Sequence, residues 1–179
     1  MDDTELVKRA QRGNKQAIGK LYDRHQPHIY RFVWSRVQHQ QTAEDMTGEI
    51  FTRMVKNLPH YQDSGTPFRA WLYRIARNLL TDYFRQSARQ IPLDEVENLM
   101  ESTESLDTVV QHKITVSSVT EALAKIDPEQ REVVVMRFLV RLPIKEVAIS
   151  LNKTVPAVKS LQHRGLQALR ATLQQKATS

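Results

Sequence analysis

Apolar side chains recur at three- and four-residue spacing along most of this chain, and no stretch shows the strict alternation of a half-buried strand. Asp3 or Thr4 suits the cap of a short first helix that ends before Gly13. Asn14 then caps a long second helix with Ile18, Leu21, Tyr22, Ile29, Phe32 and Val33 on one side. Pro27 lies inside it and is expected to kink it, because proline removes a ladder donor and crowds the preceding turn. The run Thr42-Ala43-Glu44-Asp45 resembles a capping box and predicts a third helix with Met46, Ile50, Met54 and Leu58 inward, stopped by Pro59. Asp63, Ser64 and Gly65 make residues 60–66 a loop, and Pro67 at a first-turn position opens a fourth helix running to about Arg89.

Further along, a helix is predicted from about Asp107 to Ile126, where Asp127-Pro128 stops it and starts the next, reaching Leu139. Pro143 begins a short helix through Leu151, Asn152 and Lys153 turn, and Thr154 or Val155 leads into a helix from Pro156 to about Gln175. A short helix, a tight turn and a longer polar helix are the layout of a helix-turn-helix. The predicted fold is all-α.

Charge divides this string of helices. Residues 1–90 hold 15 basic and 9 acidic side chains, residues 91–120 hold 1 and 6, and residues 121–179 hold 10 and 5. The acidic stretch also contains Pro92, Asn98, Ser102, Thr103 and Ser105 and has weak periodicity, so it reads as a linker. The expected organisation is two small helical domains, 1–90 and 113–179, joined by a flexible acidic linker over 91–112. Basic blocks are the footprint of a polyanionic partner, most often nucleic acid, although a solvated basic surface gives the same arithmetic.

Composition excludes several chemistries among the 179 residues. No cysteine means no disulfide framework, no thiolate metal site and no Cys nucleophile. Five glycines and neither phosphate-loop motif leave no glycine-rich nucleotide cradle. The start, Met1-Asp2-Asp3-Thr4-Glu5, is acidic where a signal peptide is basic, and no apolar run approaches the roughly 20 residues that span a bilayer, so a soluble intracellular protein without membrane insertion is expected. The six histidines show no ligand pair at helical spacing, and Asp45 and Glu49 have no companions to complete a metal shell. No catalytic residue, metal or cofactor is expected.

Two helices carry the candidate chemistry. On a helical wheel the fourth places Phe68, Leu72, Ile75, Ala76, Leu79 and Tyr83 on one stripe, and Trp71, Arg74, Asn78, Asp82 and Arg85 opposite, with Arg77 at the edge. Trp71 either packs on a neighbouring helix or serves as a stacking platform for unpaired bases, with Arg74, Arg77 and Arg85 tracking phosphates and Tyr61 and Phe68 bordering the adjacent loop. On the last helix Val158, Leu161, Ala168, Leu169 and Thr172 face inward, and Gly165 on that side allows close packing. Pro156, Lys159, Ser160, His163, Gln167 and Arg170 face outward, with Arg164 on the flank. Lys159, Ser160 and His163 are the expected readers of base edges in a major groove.

The strings Ala43-Glu44-Asp45-Met46 through Glu49-Ile50-Phe51, then Phe68-Arg69-Ala70-Trp71-Leu72-Tyr73-Arg74-Ile75-Ala76-Arg77-Asn78 and Asp82-Tyr83, resemble region 2 of bacterial sigma factors. Glu132-Val133-Val134, Glu146-Val147-Ala148, Ala157-Val158-Lys159-Ser160 and His163-Arg164 resemble region 4, and with only these two regions the chain is similar to the extracytoplasmic-function group. The resemblance implies a promoter-specificity subunit with core RNA polymerase and promoter DNA as partners, and an anti-sigma factor as a further partner that could hold a cytoplasmic protein at the membrane. It implies core-polymerase docking through Asp45, Glu49 and Phe51. Capture and melting of the −10 element fall to Tyr61, Arg69, Trp71, Arg74, Arg77, Asn78 and Arg85, and duplex −35 readout to Pro156, Lys159, Ser160, His163 and Arg164. The resemblance places the acidic linker in the channel that nascent RNA later occupies, while a tether kept soluble by its charges fits the same composition. Gly48 stands where the family usually has Gln, and Leu161 where many relatives have Arg. The rival is a conventional helix-turn-helix regulator with an N-terminal sensing domain, which leaves the Trp71 face unexplained. An enzyme using Asp45, Glu49 and Asp82 is the remote third reading.

Overall fold

Five of the described helices begin where a side chain, from Asp2, Asn14, His39, Asp127 or Thr154, satisfies an orphan amide. In the computed structural model, residues 1–90 and 110–178 are described. Asp2 caps α1 (Asp3–Gln11), its Oδ1 accepting from Glu5 N at 2.8 Å, so the cap falls one residue earlier than expected. Gly13 ends that helix at φ +86°, a left-handed conformation that favours glycine. Asn14 caps α2 (Lys15–Val37) by accepting from Ala17 N at 3.0 Å. α2 runs unbroken through Pro27, which stands on an exposed side of the helix. α3 (Gln40–Asn57) starts two residues before the expected capping box: His39 is its cap, the ring nitrogen Nδ1 accepting from Thr42 N. Gln40 and Gln41 are good helix formers and join the first turn once His39 has replaced Thr42 in that role.

A 3-10 turn (Leu58–His60) and the loop up to Pro67 lead into α4 (Phe68–Gln90). The core of this first domain comes from Leu6, Leu21, Ile29, Phe32, Ile50, Met54, Leu72 and Tyr73, all essentially sealed from water. Burying each such side chain contributes about 1.5–3 kcal/mol. Phe32 meets Tyr73 edge to face, the ring centroids 5.4 Å apart. Tyr22, expected inward, is largely exposed and covers the edge of Phe51 instead.

The second domain comprises α5 (Val110–Lys125), α6 (Pro128–Val134), α7 (Ile144–Ser150) and α8 (Val155–Ala177). Asp127 caps α6 through Glu129 N and Gln130 N. The rod expected to reach Leu139 does so, but its last turn, Val135–Leu139, loosens into a π-helix. Arg137 braces that end, donating to Leu142 O at 2.7 Å and to Gln162 on α8. After α7, Asn152 at φ +52° makes the turn, and Thr154 caps α8 by accepting from Ala157 N. Gly165 is required where α8 crosses α6: a Cβ there would lie 2.8 Å from Val134 Cγ2 and 3.1 Å from Gln130 O.

Among the described residues every regular element is helical. The acidic segment expected as the linker lies largely in residues 91–109, outside the described residues. Buried apolar side chains of both domains form one contiguous cluster.

Candidate nucleic-acid interface

The loop before α4 is held by α1. Gln11 Nε2 donates to Leu58 O at 3.0 Å and to Tyr61 O at 2.8 Å, fixing both carbonyls. The Tyr61 hydroxyl donates to Thr66 O at 2.7 Å, and burial, with Asp63 and Asp3 nearby, pushes its pKa up to about 12, so the donor stays protonated. Tyr61, Phe68 and Trp71 form an aromatic cluster, with ring centroids of Tyr61 and Phe68 4.9 Å and 5.7 Å from that of Trp71. Trp71 is half-buried: it packs on Tyr61 and Phe68 and keeps an accessible part. Tyr61 is only 8% exposed, which leaves it shaping the loop more than presenting a face.

The arginines of α4 are not free, as the wheel implied. Arg69 Nη2 donates to Glu146 Oε1 at 2.9 Å, Arg74 Nη2 to Ile149 O at 2.8 Å, and Arg77 Nε to Glu132 Oε1 at 2.9 Å. All three acceptors belong to the second domain. Ser150 Oγ adds a bond to Ala70 O at 3.2 Å, where α7 packs on α4. The wheel missed this because α4 buries two faces: Phe68, Leu72 and Ala76 on one, Ala70 and Tyr73 on another. Asn78 and Arg85 lie beyond the contact and are exposed, Arg85 near Asp82 at 3.9 Å. Burial, with Arg131 beside it, lowers the pKa of Arg36, while Glu132 opposes that shift.

The outer face of α8 is open. Pro156, Lys159, Ser160, His163 and Arg164 are exposed, whereas Val158, Leu161 and Gly165 are buried against α6 and α7. Leu161 therefore belongs to the packing side of the helix. On α3, Asp45 and Glu49 are exposed, accepting from Gln41 and Arg53 at 3.0 and 2.8 Å. Gly48 stands exposed between them, with no atom near a Cβ placed there. Phe51 is not part of that surface: at 5% exposure it packs beneath Tyr22 and supports α3 from inside. Among the described residues no cluster of His, Asp and Glu could hold a metal ion, and no helix is long and apolar enough to cross a membrane.

The family model of Sigma-70 region 2 matches residues 21–90, and that of Sigma-70 region 4 matches residues 122–171. With both regions matched on one chain, the class is that of promoter-recognition sigma subunits. The chain is 35% identical to the ECF RNA polymerase sigma factor BldN of Streptomyces coelicolor over 167 residues, covering 92% of this chain and 63% of that relative. It is 30% identical to the ECF RNA polymerase sigma factor SigW of Bacillus subtilis, covering 93% of this chain and 94% of that one. The structure of CnrH in complex with the cytosolic domain of CnrY matches with a TM-score of 0.75 at 28% identity, over 96% and 97% of the two chains. The chain belongs to the ECF group of RNA polymerase sigma factors.

Proposed function

We propose that this chain binds core RNA polymerase in the bacterial cytoplasm and directs initiation at promoters carrying −10 and −35 elements. The observation that carries the reading is the open outer face of α8, with Lys159, Ser160, His163 and Arg164 exposed at the start of a helix-turn-helix recognition helix. This placement supports duplex −35 readout by residues 113–179, since such a helix enters the major groove by its N-terminal part. Residues 1–90 are assigned to polymerase docking and the −10 element. Asn78, Arg85 and the accessible part of Trp71 meet unpaired DNA, with Arg69, Arg74 and Arg77 joining once released from the second domain. The chain supplies specificity and positioning, and bond-making belongs to the polymerase. A protein partner, as the cytosolic domain of CnrY is for CnrH, fits the same scheme.

Docking is assigned to the exposed edge of α3. Replacing Asp45 and Glu49 together by Ala is expected to weaken capture by core RNA polymerase at least severalfold while helicity by circular dichroism stays unchanged. Equal capture of the folded variant removes these two residues from the interface.

A further inference from the structure

We propose that Gln11 is a positioning residue for −10 capture: from α1 it sets where the loop before α4 holds Tyr61 and, through Tyr61, Trp71. The inference rests on the assignment of Trp71 and its neighbours to unpaired DNA. The Gln11 amide nitrogen carries two hydrogens, and it donates to Leu58 O at 3.0 Å and to Tyr61 O at 2.8 Å, carbonyls 47 and 50 residues away. Leu58 O also accepts from Tyr61 N at 3.1 Å and stays partnered without Gln11. Among the described residues no other donor reaches Tyr61 O. Tyr61 is therefore pinned twice, its carbonyl by Gln11 and its hydroxyl by Thr66 O at 2.7 Å, with its ring centroid 4.9 Å from that of Trp71.

Packing alone does not set the distance between α1 and this loop. A hollow of about 320 Å³ opens between them, lined by Thr4, Val7 and Lys8 on the helix and by Tyr61, Gln62 and Phe68 across it, with Gln11 in its wall. A close-packed contact would hold the loop at one distance whatever residue stood at position 11. Across a hollow, the two hydrogen bonds do so. The helix itself is firmly seated: Leu6, Val7 and Ala10 are buried, and Asp3 reaches α2 through Arg24 at 2.6 Å and His25 at 2.9 Å. Gln11 follows Val7 by four residues and so leaves the same side of the helix. The position asks for a long side chain with donors. Asn is a methylene short, Met has no donor, and Glu sets acceptors against two carbonyl oxygens.

The test uses the holoenzyme, this chain with core RNA polymerase, and a single-stranded DNA library randomised over the −10 window. Bound strands are sequenced, and the readout is the enrichment of the preferred sequence over its single-base variants. Phosphate contacts are the same for matched and mismatched strands, so this ratio does not respond to them. Gln11→Met, close in size but without a donor, is expected to lower the ratio about tenfold while capture by core polymerase stays unchanged. Gln11→Glu, which keeps the shape and reverses the hydrogen bonding, is expected to lower it at least as far and serves if the Met variant folds poorly. Gln11→Lys, which keeps a long donor, is expected to recover most of the ratio. Ile29→Val, a change in the buried core, is expected to lower the urea midpoint and leave the ratio as it is in the parent. An unchanged ratio in folded Gln11→Met or Gln11→Glu overturns the proposal, as does an equal loss in Ile29→Val or no recovery in Gln11→Lys. A parent holoenzyme that enriches no sequence overturns the reading beneath it, the assignment of the Trp71 face to unpaired DNA.

Discussion

Arg77 Nε lies 2.9 Å from Glu132 Oε1, 55 residues further along the chain, and this pair joins the helix assigned to −10 DNA to the domain that carries α8. Arg69 and Glu146 repeat the relationship across 77 residues. The two pairs are only partly buried, so each is screened by solvent and contributes less than a sealed pair. Their importance is positional: they decide which face of α4 is accessible.

Gly165 tests the packing of the helix-turn-helix. Gly165→Ala places a methyl 2.8 Å from Val134 Cγ2 and 3.1 Å from a backbone oxygen, so the buried Val134 side chain and the backbone of α6 must shift to admit it. Overpacking of this kind costs about 1–3 kcal/mol, measurable as a lower urea midpoint. Gly48→Ala makes the contrast, because no atom lies within 4 Å of the added carbon. In an exposed helix interior it is expected to stabilise by about 0.8–1.0 kcal/mol.

Asp3 gives a pH dependence with a definite sign. Its Oδ2 lies 2.9 Å from His25 Nε2 and its Oδ1 2.6 Å from Arg24 Nη1. Burial raises its pKa, but His25 and Arg24 together outweigh burial and hold the folded value below 3.8. The stabilising contribution is therefore complete above 3.8 and disappears as pH falls through the lower folded value. Asp3→Asn is expected to unfold at lower urea than the parent near neutral pH, with the gap closing in acid. A gap that persists unchanged into acid would assign the loss to packing.

On α8, the exposed Lys159 and His163 are the positions to vary. Lys159→Ala and His163→Ala are expected to shift preference at a few base pairs of the upstream element, by about 1–3 kcal/mol for a base-edge contact. A promoter library scored by binding separates this from phosphate contact, which would weaken all sequences alike and flatten the salt dependence.

Features set by neighbours in sequence were readable from it. Asn14 and Asp127 cap the helices they were expected to cap, Thr154 is the cap of the two residues offered for the last helix, and Val158, Leu161 and Gly165 face inward on it, because caps and wheels depend on residues three or four apart. The cap of α3 fell to His39 because an imidazole nitrogen can accept an amide as a Thr hydroxyl does, which motif spacing does not register. The burial of Phe51 and the second buried face of α4 at Ala70 and Tyr73 depend on which helices pack against them. The pairs Arg69–Glu146 and Arg77–Glu132 were beyond a one-helix reading for the same reason: their partners lie in another domain. Lys159, Ser160 and His163 were expected on the outward side and Arg164 on its flank, and all four are exposed among the described residues.

The most direct measurement of the central claim is run-off transcription with purified core RNA polymerase and a library of duplex promoters. Adding this chain is expected to give transcripts of defined length from a subset sharing −10 and −35 sequences, with none from core alone. Lys159→Ala is expected to change which upstream sequences belong to that subset. Absence of promoter-specific transcripts, with the folded chain present in excess and core active on a nicked template, would contradict the account.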